Sequence, residues 1–444
     1  MIPFKKIIIG VAVSVIICSG NLFAQNDNGN EKINDQQKQV LINTAYAQLK
    51  ENYIFPERIA KIESVIQRKF DNKEYSSFNT LFDFLEVLNK DFELSGNGHH
   101  LDIFYGPQYV KKIKATQNNT AEKPDKIPAE FVDMVKYENF FLKKVERLDG
   151  NIGYFKFNKF EELQFSKEPI ASAMNFISNS SAIIFDLREN GGGSAETVHF
   201  IMSYFLPDST KLGVFKRRIN NEVVELWTTK DPLIKKVPVN IPVYILVSKN
   251  TSFAAESFSY GLQQFKRVTI VGEQTHGEGN PGARFIINEK LYMMIPTAIN
   301  VNALTGTNCD GVGVTPDIKT TATDALPKTI VEVCQILAKK GENNIYKWMI
   351  PEYESQLHPE IASVQFINSI IGNYAEGKKI SQENGFVYYT TESGKQKMSY
   401  IGNQMFSMDG RNDYRMRFPK TNKSIQFVEF VWNDVTADTL KKLN

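Results

Sequence analysis

The chain has 444 residues, with 52 Lys and Arg against 50 Asp and Glu. That length allows two or three domains around a sizeable core, and the near-neutral charge supplies no basic face for nucleic acid. Three cysteines are too few for a disulfide scaffold, and none stands in the C-x-x-C pair of a zinc site.

Residues 1–24 read as a secretory signal peptide. Lys5 and Lys6 precede an apolar run from Ile7 to Cys18, and Leu22-Phe23-Ala24 offers a small-residue cleavage site before Gln25. The run is short for a membrane span, and no later stretch reaches membrane length. The expectation is an exported chain, periplasmic or extracellular, with no transmembrane anchor and two remaining cysteines, Cys309 and Cys334. Removing the leader takes two lysines and no acids, leaving equal numbers of the two charges.

Three helical patterns fill the expected N-terminal helical domain, residues 25–110: Val40 to Leu49, then Ile59 to Phe70 opened by Pro56, then Leu81 to Leu88 with Ser77 as a cap. Ser95-Gly96-Asn97-Gly98 is a turn, and 99–105 reads as a strand in which His99 and His100 point to opposite faces. Residues 111–144 are expected to be polar linker and loop, mobile over 111–126.

A core domain is expected over 145–340. Two strands flank the turn at Asp149-Gly150-Asn151, and a helix around Ile170 to Ile177 leads to a strand at Ala182 to Phe185. That strand runs into Asp186-Leu187-Arg188-Glu189-Asn190-Gly191-Gly192-Gly193 and a further helix, a strand–turn–helix order suited to holding an anion on main-chain amides. It has neither a phosphate-loop ending nor dinucleotide-site spacing, so nucleotide is not expected. The near-unbroken apolar run Ile241 to Val247 marks a strand buried on both faces, and Phe258, Leu262 and Phe265 give the next helix a buried stripe. Ser252 lies where that strand turns into that helix. It reads either as an N-cap or as a nucleophile whose oxyanion would meet free helix-start amides. A strand at Leu291 to Pro296, a Gly/Pro-punctuated run at Gly311 to Ile318 and a helix at Ala325 to Lys340 complete this domain. Residues 341–444 carry short strands between Gly, Asn and Asp turns and form a β-rich domain, with His358 on the surface.

These pieces in this order resemble the tail-specific, or C-terminal processing, serine peptidases, especially the branch similar to repeats of interphotoreceptor retinoid-binding protein. The resemblance rests on H-L-D-I-F-Y at 100–105, L-D-G-N-I-G-Y at 148–154, D-L-R-E-N-G-G-G at 186–193, T-S-F-A-A-E at 251–256, V-G-E-Q-T at 271–275 and G-V-G-V-T-P-D-I at 311–318. It implies an α/β fold with a crotonase-like core of ββα units, no cofactor, no metal, and unfolded proteins or peptides as substrates. It also implies a catalytic Ser252, His100 and Asp310, with His99 as the alternative base, and an oxyanion hole from Gly192, Gly193 and the amide after the serine.

Two positions depart from the family pattern. Phe253 occupies the nucleophile position, one residue after Ser252, and Glu278 stands where serine–lysine members carry lysine. One residue along a helix turns a side chain by about 100° and moves it about 1.5 Å. Two readings follow: a serine-type peptidase working through Ser252, or a silent relative binding peptides or apolar ligands in the same cleft.

Overall fold

The computed structural model describes residues 31–96, 101–118, 127–341, 344–420, 424–434 and 436–443. The expected leader and both His99 and His100 lie outside the described residues.

Three helices open the fold: α1 (Asp35–Asn52), α2 (Pro56–Asp71) and α3 (Leu81–Gly96). Asn34 and Gln37 cap α1 reciprocally, each side chain accepting the other's amide at 2.9 Å. Pro56 starts α2 as expected. The cap of α3 is not Ser77: the hydroxyl of Thr80 accepts the Asp83 amide at 3.2 Å, directly before the first buried position, Leu81. Ile42, Leu49, Ile62, Ile66, Phe84 and Leu88 pack into one core that also takes in Ile103, Leu291, Met293 and Ile295. The helical unit therefore shares its interior with strands from distant sequence.

The short strand β1 (Ile103–Tyr105) is followed by α4 (Pro107–Asn118) and α5 (Ala129–Tyr137). The polar stretch expected to be a loop from residue 111 is thus helical as far as Asn118. Among its described side chains Val110 is buried, the Tyr109 and Tyr292 rings lie 5.8 Å apart, and Lys114 pairs with Glu289. A helix of such mostly polar sequence shows little apolar stripe.

The central layer contains β2 (Leu142–Leu148), β3 (Ile152–Phe157), α6 (Leu163–Ile177), β4 (Ala182–Asp186), α7 (Ala195–Met202), β5 (Lys211–Arg217), β6 (Val223–Trp227), β7 (Val243–Val247), α8 (Ala254–Gln264), β8 (Thr269–Gly272), β9 (Gly282–Ile286), β10 (Leu291–Pro296), β11 (Ala298–Asn302), β12 (Ile318–Lys319) and α9 (Ala325–Lys340). Its main sheet runs β12-β8-β7-β4-β3-β2, parallel except for the β2–β3 hairpin. Every residue of β4 and β7 is buried, as a parallel strand covered on both faces requires. Phe185 and Ile245 pack with Ile201 and Phe258 of α7 and α8, while Ile184 and Leu246 pack with Ile330 and Val333 of α9. Smaller sheets, β1-β10-β9 and β11-β5-β6, flank this layer. Cys309 and Cys334 are both buried free thiols, so the disulfide left open by the sequence is not formed.

Beyond α9 come α10 (Asn344–Leu357), α11 (Val364–Ile370) and β13 (Gly372–Asn373), β14 (Lys379–Glu383), β15 (Phe386–Thr391), β16 (Gly394–Tyr400), β17 (Met405–Met408), β18 (Arg411–Arg417), β19 (Phe427–Trp432) and β20 (Ala437–Lys441). These strands pair antiparallel in chain order. Tyr374 bridges to Lys442, and the Ala375 amide reaches the Lys441 carbonyl at 2.9 Å, so the last strand returns to the first. That contact joins the two ends of the sheet, and Phe366, Tyr389, Phe406, Met416 and Phe418 pack in its core. Arg415, buried on the outside of β18, donates to the Trp348 carbonyl at 2.6 Å and lies 4.1 Å from that ring, fixing the sheet to α10.

Candidate active site

The turn between β7 and α8 is bolted to the end of β4. The Thr251 hydroxyl donates to the Leu187 carbonyl at 2.8 Å, the Ser248 hydroxyl to Arg188 at 2.6 Å, and the Ser252 amide to Asn190 at 3.1 Å. Phe253 then takes φ 51° and ψ −116°, a backbone state that costs a bulky residue about 1–3 kcal/mol and persists only where neighbours enforce it. The strained position of the turn is therefore 253 and not 252. Glu256, fully buried, does the enforcing. One of its oxygens accepts the Phe253 amide at 3.1 Å and the Glu278 amide at 2.7 Å; the other accepts the Gly277 amide at 2.7 Å and the Thr275 hydroxyl at 2.5 Å. Burial pushes its carboxyl pKa up, and these four donors pull against that rise.

The glycine turn after β4 faces the same residue. Asp186, also fully buried, is held by the Tyr154 hydroxyl at 2.5 Å and by two Arg188 nitrogens at 2.9 and 2.6 Å, while a third Arg188 nitrogen donates to the Ala322 carbonyl. Gly192 has φ 95° and Gly193 φ 133°. A Cβ on Gly192 would stand 2.6 Å from the Phe253 Cβ and 3.0 Å from the Ala254 nitrogen; one on Gly193 would stand 2.1 Å from the Phe160 oxygen.

Two of the expected oxyanion donors are already engaged: the Gly192 amide donates to the Asn190 side chain at 2.9 Å, and the Phe253 amide donates to Glu256. The Gly193 amide has no acceptor among the described residues. Ala254, the first residue of α8, holds its amide beside Gly192, where a helix start leaves N–H groups unsatisfied.

The acids gather on the other side. Asp310 accepts the amides of Gly279 and Asn280 on one oxygen, both at 3.1 Å, and a Cβ on Gly279 would come within 2.7 Å of the Asp310 nitrogen. Burial pushes the Asp310 carboxyl up to about 6, against those amides and the Arg58 guanidinium. Glu278 is pushed up to about 8, first by burial and then by the charges of Glu256, Asp102 and Asp310. His276, which sequence reasoning passed over because it lies in no motif, places Nε2 3.3 Å from a Glu278 oxygen, and its amide donates to the Thr251 carbonyl at 3.1 Å.

The structure thus brings Ser252, Phe253, Gly192, Gly193, Glu256, His276 and Glu278 to one turn, with Asp310 joined to it through residues 279–280. Asp102, two residues beyond His100, lies close enough to Glu278 to raise its pKa. No group of three or more His, Cys, Asp or Glu able to hold a metal occurs among the described residues.

Residues 151–320 match the sequence model of Peptidase family S41. This segment is similar to the S41 peptidases. It contains both turns, Glu256, Glu278 and Asp310. The chain is 26% identical over 178 residues to a carboxy-terminal-processing protease of Bartonella bacilliformis, covering 39% of each chain. It is 27% identical over 168 residues to the chloroplastic carboxyl-terminal-processing peptidase 2 of Arabidopsis thaliana, covering 37% of this chain and 31% of that protein. The match thus spans about two fifths or less of these relatives' own length. Among solved structures, a photosystem II D1 C-terminal processing protease is 13% identical with a TM-score of 0.38, over 65% of this chain and 94% of that one. The serine peptidase family expected from the motifs is the one found. Among the described residues no helix is long and apolar enough to cross a membrane.

Proposed function

We propose that the chain is an exported serine-type peptidase that hydrolyses peptide bonds in unfolded proteins or peptides, with the Ser252 hydroxyl as nucleophile. The observation that carries this reading is the strained turn at 251–254, locked by Glu256 and pressed against Gly192, since such strain is retained chiefly at functional sites. In the reaction Ser252 Oγ attacks the scissile carbonyl carbon and its proton passes to an imidazole. The oxyanion lies against the Gly193 and Ala254 amides, and the proton then returns to the leaving amine. His100, with Asp310 to orient it, occupies the family's base position. The parallel sheet flanked by helices supports a crotonase-type core for residues 145–340, between an N-terminal domain (25–110, with 111–144 as its connection) and a C-terminal domain (341–444).

A second reading is favoured by one observation: the strained position itself holds Phe253, which has no hydroxyl. In that reading the cleft binds peptides or apolar ligands without cutting them. Peptide cleavage by the wild type, by Ser252→Ala and by the swap Ser252→Phe with Phe253→Ser separates the two. Cleavage lost in Ser252→Ala supports the peptidase; an inert wild type with activity gained in the swap supports the binder.

A further inference from the structure

We infer that His276, backed by Glu278, is the imidazole–carboxylate pair that takes the proton of Ser252, a pairing made for a hydroxyl displaced by one residue. The inference rests on the Ser252 reading above. It leaves His100 and Asp310 as the pair that the family pattern assigns to a nucleophile at position 253.

The strip 276–278 runs along the turn 251–253. Its first amide is bonded to the Thr251 carbonyl, and its last shares a Glu256 oxygen with the Phe253 amide. The His276 side chain is 51% exposed, whereas Glu278 beside it is 16% exposed. Nε2 faces the carboxylate at 3.3 Å. With Glu278 ionised, Nε2–H is held by that carboxylate and Nδ1 carries the lone pair that accepts the serine proton. With Glu278 protonated, its O–H is directed at Nε2, the ring proton moves to Nδ1, and the base is lost.

Among the described residues, Glu278 is faced by Asp102 just before β1, Glu256 in α8, Asp310 in its loop and His276 itself, with Arg58 of α2 acting on Asp310. Three of these are acids that oppose ionisation. The pair therefore works better as pH rises, through the elevated pKa of Glu278.

The test is labelling of the full chain by an alkyl fluorophosphonate. Ser252 Oγ bonds phosphorus, fluoride leaves, and the serine proton passes to the imidazole. Mass spectrometry locates the label, and rates are taken from pH 5 to 10 for wild type, His276→Gln and Glu278→Gln. The expected result is label on Ser252 with a rate rising through a pKa near 8, at least ~100-fold loss in His276→Gln, and loss of the pH step in Glu278→Gln. Exposed His358→Gln keeps the wild-type rate and profile. Label on Ser252 at the wild-type rate in His276→Gln overturns this inference and leaves the Ser252 reading standing. Absence of label from Ser252 in the wild type overturns the Ser252 reading itself.

Discussion

The main-chain amides of Phe253 and Glu278 donate to the same oxygen of Glu256, at 3.1 and 2.7 Å. One buried carboxylate thus couples the strained turn to the strip carrying His276 and Glu278. Glu256→Gln puts an amide NH₂ among four donors, leaving some of them unsatisfied. We expect a loss of about 3 kcal/mol in unfolding free energy, seen as a lower urea midpoint at unchanged slope.

The glycine turn gives a steric prediction. Gly193→Ala places a methyl 2.1 Å from the Phe160 carbonyl oxygen at φ 133°, so main chain must move. Gly192→Ala meets the Phe253 Cβ at 2.6 Å. Both variants should be destabilised by more than about 2 kcal/mol, read by thermal melts, and the Gly192 variant should regain stability when combined with Phe253→Gly.

Asp186 and Arg188 form a buried pair beneath that turn. Arg188→Ala leaves an uncompensated carboxylate in the core, and we expect a loss of about 3–5 kcal/mol by chemical denaturation. Replacing the acid as well, by Asp186→Asn, should recover part of it. The Asp186 pKa is held below its usual range by Arg188 and Tyr154 against burial. That contribution is present above the unfolded pKa and is lost as pH falls through the folded one.

Glu278 and Asp310 give the opposite pH dependence. Their folded pKa values, about 8 and about 6, lie above those of the unfolded chain. The folded state therefore binds these protons more tightly. Their effect favours folding most below the unfolded pKa, and stability falls as pH rises, by about 1.4 kcal/mol per unit per group between the two values. Urea titrations at pH 5 and pH 9 should show wild type losing stability at the higher pH and Glu278→Gln losing less.

Much of this architecture was legible. The buried strand at 243–247 shows as an apolar run, Pro56 marks a helix start, and the ordered Gly-Gly-Gly and S-F-A-A-E segments give the family. What could not be read depends on partners distant in sequence. Helix α4 buries Val110 among mostly polar described residues, so its sequence looks like a loop. Thr80 outcompetes Ser77 as a cap because Leu81 begins the buried face. The joining of the two ends of the C-terminal sheet depends on Tyr374 meeting Lys442, a pairing with no local signal. His276 lies in no motif, and only the fold sets it beside Thr251.

We propose Ser252 as the working nucleophile. The most direct test is the initial rate of cleavage of a denatured protein substrate by the full chain and by Ser252→Ala. The account predicts cleavage by the wild type and a fall of at least ~1,000-fold in the variant, because members of such a site act as a unit. Cleavage that persists at the wild-type rate in Ser252→Ala, or a wild type that cuts nothing, would contradict it.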